Sequence, residues 1–252
     1  MPSSKSRKST GGKSSGGEIV LVHSSDVHVD DEYTARSHDG DGTRGLASVL
    51  ATAQEMSADI VLLAGDVFEH NRLPMEVIDR AGRLLADCGL TIVVLPGNHD
   101  PAMEDSVWHR GALGELPDVH IFGVTHDDLI AFDHHEMEIW GRAHLDYDDM
   151  SPLARPMKRR ARWHIVMAHG HYEPKPDKNT ALRPSWLLGD REIAATGADY
   201  LALGHWNRPL PVGSGEVPAY YSGSPDLAET VNVVRLSDKK GVRVTREPII
   251  WE

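Results

Sequence analysis

Short apolar runs alternate with segments of helical periodicity in the first half of the chain. Three of these runs have the length and residue types of buried strands: 18–23, 59–64 and 91–95. Between them, residues 44–57 carry apolar side chains at helical spacing. A second helix is expected to begin at Pro74 and to stop at Gly89. The β-α-β-α-β order predicts a parallel sheet with right-handed crossovers.

The second half of the chain is richer in strand-like segments. They lie at 119–122, 129–133, 136–140, 163–168, 200–203, 219–222, 230–236 and 241–250. Hairpin turns are expected at His134-His135 and at 238–241, whereas the basic stretch 152–162 fits either a helix or a loop. We find no internal repeat and no clear linker, so residues 18–252 are predicted to form a single α/β domain.

The amino terminus differs in composition from this domain. Residues 1–17 are rich in Ser, Gly and Lys and lack the apolar core of a secretory signal, so we interpret them as a disordered basic tail. The whole chain has a net charge of −12, and the tail contributes four positive charges and no acids. The remaining body is therefore still more acidic, which argues against an extended basic surface for nucleic acid.

Two absences in the sequence bear on the compartment. Cys88 is the single cysteine, so no intramolecular disulfide can form, and we interpret it as a small core residue. No run of 18 apolar residues occurs, so we expect no membrane span. A cytoplasmic location is the default expectation for such a chain. The oligomeric state is left open.

Polar residues follow directly on the predicted strands. Three clusters lie in the first half: Asp26-Val27-His28, Gly65-Asp66 and Gly97-Asn98-His99-Asp100. Two more lie in the second half, at His169 and at Gly204-His205. Open α/β sheets place their chemistry outside the carboxyl ends of the strands. We therefore expect one metal site assembled from five loops.

The residue types in these loops suit phosphate-ester hydrolysis by two divalent cations. Such a reaction needs a water activated near neutral pH and neutralisation of the charge that develops on the phosphoryl oxygens. A pair of ions needs imidazole and oxygen ligands, with one carboxylate that can bridge them. The polar residues that supply this set are Asp26, His28, Asp66, Asn98, His169 and His205.

These motifs, in this order over most of residues 18–207, resemble the calcineurin-like metallophosphoesterases. The resemblance implies a four-layer α/β/β/α sandwich and two divalent ions, for which Mn²⁺ is our first choice and Fe or Zn²⁺ are alternatives. By that resemblance, Asp26 and His28 bind the first ion, and Asp66 bridges both. Asn98, His169 and His205 bind the second ion. His99 stabilises the phosphoryl oxygens and protonates the leaving group, and Asp100 orients the His99 ring.

One position departs from the family pattern. The last motif normally ends in a second histidine that completes the first ion site, and here that position is Asn207. An amide oxygen is a neutral and weaker ligand, so we predict a weaker first site with Asn207 as a ligand. His171 and His144 are the alternative replacements. Trp206, inside the same motif, is the tryptophan that we expect to contact substrate.

Two segments resemble the nuclease branch of this family that acts in DNA repair. They are 65–72, which opens with Gly-Asp-Val-Phe, and Tyr220-Tyr221-Ser222-Gly223-Ser224-Pro225. The leading hypothesis is a phosphodiesterase that acts on short nucleic acids, nucleotides or other small diesters. Two other classes stay open: a phosphomonoesterase, such as a nucleotidase or protein phosphatase, and a non-catalytic scaffold. Comparing hydrolysis of p-nitrophenyl phosphate with that of its bis ester separates the first two.

Overall fold

Two six-stranded sheets form the centre of the structure, a computed structural model that describes residues 17–30, 32–177 and 184–251. The expected tail at 1–17 lies outside these residues, apart from Gly17. In chain order the elements are β1 (Ile19–Ser24), α1 (Glu32–Ser37), α2 (Arg44–Glu55), β2 (Ile60–Ala64), α3 (Met75–Asp87), β3 (Thr91–Leu95), β4 (Val119–Ile121), β5 (Leu129–Phe132), β6 (Met137–Gly141), β7 (Trp163–His169), β8 (His171–Tyr172), β9 (Leu187–Leu188), α4 (Asp190–Thr196), β10 (Tyr200–Gly204), β11 (Leu210–Val212), β12 (Ala219–Tyr221), α5 (Pro225–Ala228), β13 (Thr230–Ser237) and β14 (Gly241–Pro248).

The first sheet has the strand order β14-β13-β1-β2-β3-β4. Strands β1 to β4 are parallel, as the β-α-β-α-β pattern predicts, and the β13–β14 hairpin adds an antiparallel edge. The second sheet has the order β11-β12-β10-β7-β6-β5, with β6, β7, β10 and β12 parallel. Within each sheet, the parallel strands therefore end at the same edge.

The period-2 alternation of the strands divides the core into layers. Val20 and Val22 of β1 pack with the apolar faces of α2 and α3, whereas Leu21 between them faces the second sheet. On the far side of the second sheet, Leu201 of β10 packs against Ile193 of α4. Helices, two sheets and a further helix thus form four layers, which confirms the α/β/β/α fold.

The stretch 152–162, whose sequence fits either a helix or a loop, is a loop. Several short elements differ from the expectation. Sequence patterns did not indicate α1, α4, α5, β8, β9 or β11, each of which has seven residues or fewer. Within the part of the chain that the structure describes, none of the helices is both long and apolar enough to cross a bilayer.

Candidate metal centre

The predicted ligand residues come together at the shared edge of the two sheets. Asp26, Asp66 and Asn98 follow β1, β2 and β3, which are neighbours in the first sheet. His169 is the last residue of β7. His205 follows β10, which pairs with β7 in the second sheet. The site is therefore built from the strand ends of both sheets.

One group of ligand atoms surrounds His169. Its Nε2 lies 3.1 Å from Asp66 Oδ2 and 3.1 Å from Asn98 Oδ1, and the same amide oxygen lies 3.1 Å from His205 Nδ1. His169 Nδ1 donates a hydrogen bond to the carbonyl of Ala64 at 2.9 Å. In the neutral ring Nε2 therefore carries a lone pair, and this lone pair faces the oxygen atoms of Asp66 and Asn98. A divalent cation satisfies such a convergent set of lone pairs, so these residues fit the second ion.

A second group shares Asp66 with the first. Ligand atoms of Asp26, His28 and Asp66 lie within 4.8 Å of one another, as do those of Asp66, His169 and His205. Asp66 therefore stands between two sets of ligands, which is the arrangement that a bridging carboxylate requires. Carboxylate, imidazole and amide donors without thiolate suit Mn²⁺, Fe or Zn²⁺.

The backbone at this edge is strained. Asp26, His28 and Asp66 have φ of 53°, 49° and 52°, and His205 has 106°, all in a region that side-chain-bearing residues rarely adopt. Strain of this kind persists only where the surrounding contacts hold it, and it concentrates at functional sites. Here the amides of Asp26 and His28 donate to the carbonyls of Gly65 and Asp66 at 2.9 and 3.0 Å. The first two loops are thus tied together along their backbones.

Burial and charge act in opposite directions on the titratable groups of the site. Burial lowers the pKa of His169, but the charge and hydrogen bond of Asp66 together with the charge of Asp26 and the hydrogen bond to Ala64 outweigh it, so that the pKa is raised to about 9. Burial raises the pKa of the Asp66 carboxyl, but the charge and hydrogen bond of His169, together with the charges of His99 and His28, outweigh it and hold the pKa below its usual value. Burial, together with the positive charge of His169, lowers the pKa of His205 to about 3. Burial raises the pKa of Asp26. Buried carboxylates this close together favour a bound cation.

His99 lies at the rim of this centre. Its side chain is 41% exposed, and its ring meets that of His28 edge-to-face at 4.8 Å. His99 Nδ1 donates a hydrogen bond to the main-chain carbonyl of Glu69 at 2.9 Å. The other ring nitrogen, Nε2, is therefore left for a substrate.

The expected contact between Asp100 and the His99 ring is corrected by the structure. One oxygen of the buried Asp100 carboxylate accepts the amides of Val67 and Phe68 at 2.8 and 3.0 Å, and the other accepts the amide of Gly97 at 2.7 Å. Asp100 thus clamps the second loop to the third, and the Glu69 carbonyl orients the ring instead. Sequence adjacency suggested the wrong partner because Asp100 points inward and His99 points outward.

The residues around the last motif have distinct environments. Asn207 is exposed, and its carbonyl accepts the amide of Ser224 at 3.3 Å, so ligation by its side chain stays a prediction. His144 Nε2 donates to the carbonyl of His169 at 3.0 Å, which supports the strand end. Among the described residues, neither His144 nor His171 belongs to a metal-binding group. Trp206 stacks on Tyr221 with ring centroids 5.7 Å apart.

A cleft of about 550 Å³ opens beside the centre, and sequence reasoning missed most of its walls. Besides Asn98 and His99 it is lined by Glu69, His70, Arg72, Tyr147 and Trp186. Tyr147 is 55% exposed, and Trp186, rather than Trp206, is the tryptophan in the lining of this cleft. Glu69 and Arg72 follow Asp66 in the same loop, which is the signal that could have identified them. Tyr147 and Trp186 lie in irregular loops without a motif.

The segment after the last motif supports the centre from behind. Ser222 Oγ lies 2.9 Å from Ser25 Oγ, and Ser25 donates to the Asp26 carboxylate. Tyr221 donates to the carbonyl of Gly170 at 2.6 Å. The Tyr-Tyr-Ser-Gly-Ser-Pro segment therefore holds the first and fourth ligand loops in place.

The fold and the two ligand groups define a metal-dependent phosphoesterase scaffold. A family model described as calcineurin-like phosphoesterase matches residues 19–209. This chain belongs to that family.

Similar proteins agree with this assignment. An uncharacterized metallophosphoesterase of Bacillus subtilis, YhaO, is 23% identical over 93% of this chain and 60% of its own length. The DNA double-strand break repair protein Mre11 of Methanopyrus kandleri is 24% identical over 90% of the chain and 52% of its own length. One subunit of the nuclease SbcCD of Bacillus subtilis is 24% identical over 81% of the chain and 61% of its own length. The chain thus spans about half to three fifths of these curated relatives.

Solved structures show the same fold at lower identity. A putative 5′-nucleotidase from Staphylococcus aureus superposes with a TM-score of 0.63 at 15% identity, covering 94% of this chain and 55% of its own. The protein TT1561 of Thermus thermophilus gives a TM-score of 0.57 at 11% identity, covering 93% of this chain and 100% of its own. The resemblance to the DNA-repair nuclease branch, stated above from the motifs, is confirmed by the relatives.

Proposed function

We propose that this chain hydrolyses phosphate diesters with two divalent cations, and that His99 is its general acid. The observation that carries the proposal is the position of the Asp66 carboxylate between two sets of ligand atoms, with the exposed ring of His99 beside them. Asp26, His28 and Asp66 would hold one ion, with Asn207 the candidate fourth ligand. Asp66, Asn98, His169 and His205 would hold the other. We propose Mn²⁺ as the ion in use.

Two ions held by these residues would supply Lewis acidity, which activates water for attack and neutralises charge on the phosphoryl group. The protein supplies the orientation of the reacting groups. His99, fixed through Nδ1 by the Glu69 carbonyl, presents Nε2 at the mouth of the cleft and can pass a proton to the oxygen of the departing alcohol. The hydrogen bond at Nδ1 holds the ring at this angle through the proton transfer.

The cleft favours a diester over a monoester. Its volume of about 550 Å³ accommodates a second esterifying group beside the phosphate. Arg72 offers a cation, and Tyr147 and Trp186 offer aromatic surface, which suits a nucleotide or short nucleic acid. The net charge of −12 opposes long polyanions, so we propose short substrates in place of extended duplexes. The relatives named as nucleases support nucleic acid as the substrate class.

Hydrolysis by the metal-stripped protein, titrated with Mn²⁺, tests this function. Two diesters should be compared: bis-p-nitrophenyl phosphate, whose leaving group departs without a proton, and a thymidine dinucleotide, whose leaving group needs one. We expect Mn²⁺-dependent turnover of both by the wild type. His99→Ala should lower kcat on the dinucleotide by about 10²–10⁴-fold and affect the bis ester much less.

His109→Ala is the matched control, because His109 is an exposed histidine away from the cleft. It should leave both rates unchanged. Equal losses on both diesters in His99→Ala would contradict the general-acid role. Turnover of p-nitrophenyl phosphate without turnover of either diester would replace the proposal with a monoesterase.

A further inference from the structure

Glu69 lies between two of the functional histidines. Its Oε2 is 2.7 Å from His28 Nδ1, and its Oε1 is 3.8 Å from His99 Nδ1. Its main-chain carbonyl accepts the hydrogen bond from His99 described above. One residue therefore contacts both the histidine of the first ion site and the general acid, with its carboxylate and its backbone.

Backbone contacts hold the loop that carries Glu69 in place. The amide of Glu69 donates to the carbonyl of Val29 at 3.2 Å, and Val29 pairs with Phe68 in an isolated β-bridge. The preceding amides, of Val67 and Phe68, are held by the Asp100 carboxylate. These contacts place the backbone of Glu69, and its side chain, 30% exposed, lies beside the His28 ring.

The chemistry of metal-bound histidine explains the carboxylate. A ligating imidazole usually presents its other nitrogen to a carboxylate or carbonyl, which fixes the ring and strengthens it as a donor. With Glu69 at Nδ1, the nitrogen that His28 can offer with Asp26 and Asp66 is Nε2. This support matters most at the first ion site, because Asn207 stands where a second histidine is expected. His169 has the equivalent support from the Ala64 carbonyl, so the two ion sites have separate anchors.

We propose that Glu69 is a positioning residue for the first ion, which it holds indirectly by fixing His28. The proposal rests on the two-ion site of the proposed function. The proposal predicts a selective effect. Neutralising Glu69 should lower the affinity for the ion held by His28 and leave the affinity for the ion held by His169 unchanged.

Mn²⁺ binding to the metal-stripped protein tests the proposal without relying on catalysis. Calorimetric titration should resolve two classes of ion in the wild type. In Glu69→Gln, which keeps the size of the side chain, the affinity of one class should fall about 10–100-fold. His169→Ala should weaken the other class, which assigns the two. Glu104→Gln, an exposed glutamate in another loop, should behave as the wild type.

Catalysis then gives a second readout. If Glu69 acts through His28, excess Mn²⁺ restores most of the turnover of Glu69→Gln, because the site refills. Unchanged affinity for both ions in Glu69→Gln would overturn the proposal. Three ions in the wild type and two in the variant would also overturn it, since Glu69 would then be a ligand itself. A further outcome is that the wild type binds two ions, and Glu69→Gln weakens one of them as expected, without any hydrolysis of a diester by the wild type. In that case the proposed function fails while the role of Glu69 stands.

Discussion

The histidines of this protein differ because burial and neighbouring charge act on them with different strengths. His169 is fully buried, yet the carboxylates of Asp66 and Asp26 raise its pKa to about 9. His23 is equally buried on β1 and has a phenol for a partner, the Tyr200 hydroxyl 2.8 Å from Nδ1. Burial lowers the pKa of His23 to about 3. Its ring is therefore neutral in the folded protein at any pH above that value.

His23 makes folding sensitive to acid. The unfolded chain binds a proton at His23 near pH 6.5, whereas the folded chain does not until about pH 3. Its contribution is fully present above pH 6.5 and is lost as pH falls toward 3. Between pH 7 and pH 5 the cost is about 2 kcal/mol. In His23→Gln, the free energy of unfolding in urea, measured with chelator at both pH values, should therefore fall by about 2 kcal/mol less than in the wild type.

His109→Gln supplies the comparison, because His109 is an exposed histidine outside the core. Its pH dependence should match that of the wild type. The His23 variant loses the Tyr200 hydrogen bond and is less stable at pH 7, so the difference between the two pH values is the decisive quantity. An identical difference in the wild type and His23→Gln would contradict the assignment.

At the level of elements, the longer strands and helices could be predicted because each carries its own signal. Apolar runs marked β1, β2 and β3, and helical spacing marked α2 and α3. The short elements depend on distant partners. β8 is two residues, His171–Tyr172, and exists through its pairing with Leu187–Leu188. β11 contains Pro211, which is tolerated because β11 is an edge strand.

The site shows the same division between local and distant information. The convergence of the proposed ligand residues could be predicted because each lies at the end of a strand that is visible in the sequence. The partners that orient them could not. Glu69 reaches His99, 30 residues away, because two loops are folded onto each other. No periodicity records such a contact, so the sequence favoured Asp100, the immediate neighbour.

Two elements from different sheets meet at Gly204, the last residue of β10. A Cβ there would lie 1.8 Å from the carbonyl oxygen of Ala64, the last residue of β2, and 2.8 Å from His169 Nδ1. Gly204→Ala should therefore displace the His169 ring from its Ala64 anchor. We expect a loss of about 1–3 kcal/mol in the free energy of unfolding and weaker binding of the second ion. Urea unfolding and Mn²⁺ titration measure the two effects.

Gly215→Ala separates crowding from backbone strain. Gly215 has φ of +92° but no atom within 4 Å of a Cβ, so alanine there is strained without a collision. It should cost about 1 kcal/mol and leave ion binding intact. If Gly204→Ala also bound both ions normally, the close approach of the two sheets would not be what positions His169.

At the level of the whole molecule, the buried carboxylates of the centre make the stability of the fold depend on ion binding. Asp26 and Asp66 are buried within one ligand group, and a cation bound between them would relieve their repulsion. Ions that bind the folded chain alone stabilise it by mass action, by about 2.7 kcal/mol at a hundredfold excess over Kd. The unfolding midpoint of the wild type should therefore rise with Mn²⁺. In Asp66→Asn this rise should be abolished, because both ions lose their shared ligand.

Thermal unfolding with chelator and with Mn²⁺ checks this. Asp226→Asn is a suitable control, since Asp226 is a half-buried acid that pairs with His38 outside the ligand groups. It should keep the Mn²⁺-dependent rise. A rise of the same size in Asp66→Asn would mean that the stabilising ions bind elsewhere.

The ligand loops are also synthesised at different times. The amide of His205 donates to the carboxylate of Asp26 from 179 positions further along the chain. At ordinary rates of translation, roughly 10–40 s pass between the synthesis of these two residues. Throughout that interval a growing chain has Asp26 but lacks His205, one of the two imidazoles in the ligand group proposed for the second ion. A ribosome-bound fragment that ends before His205 would therefore lack a complete second ion site, even with all the strands of the first sheet up to β4 already made.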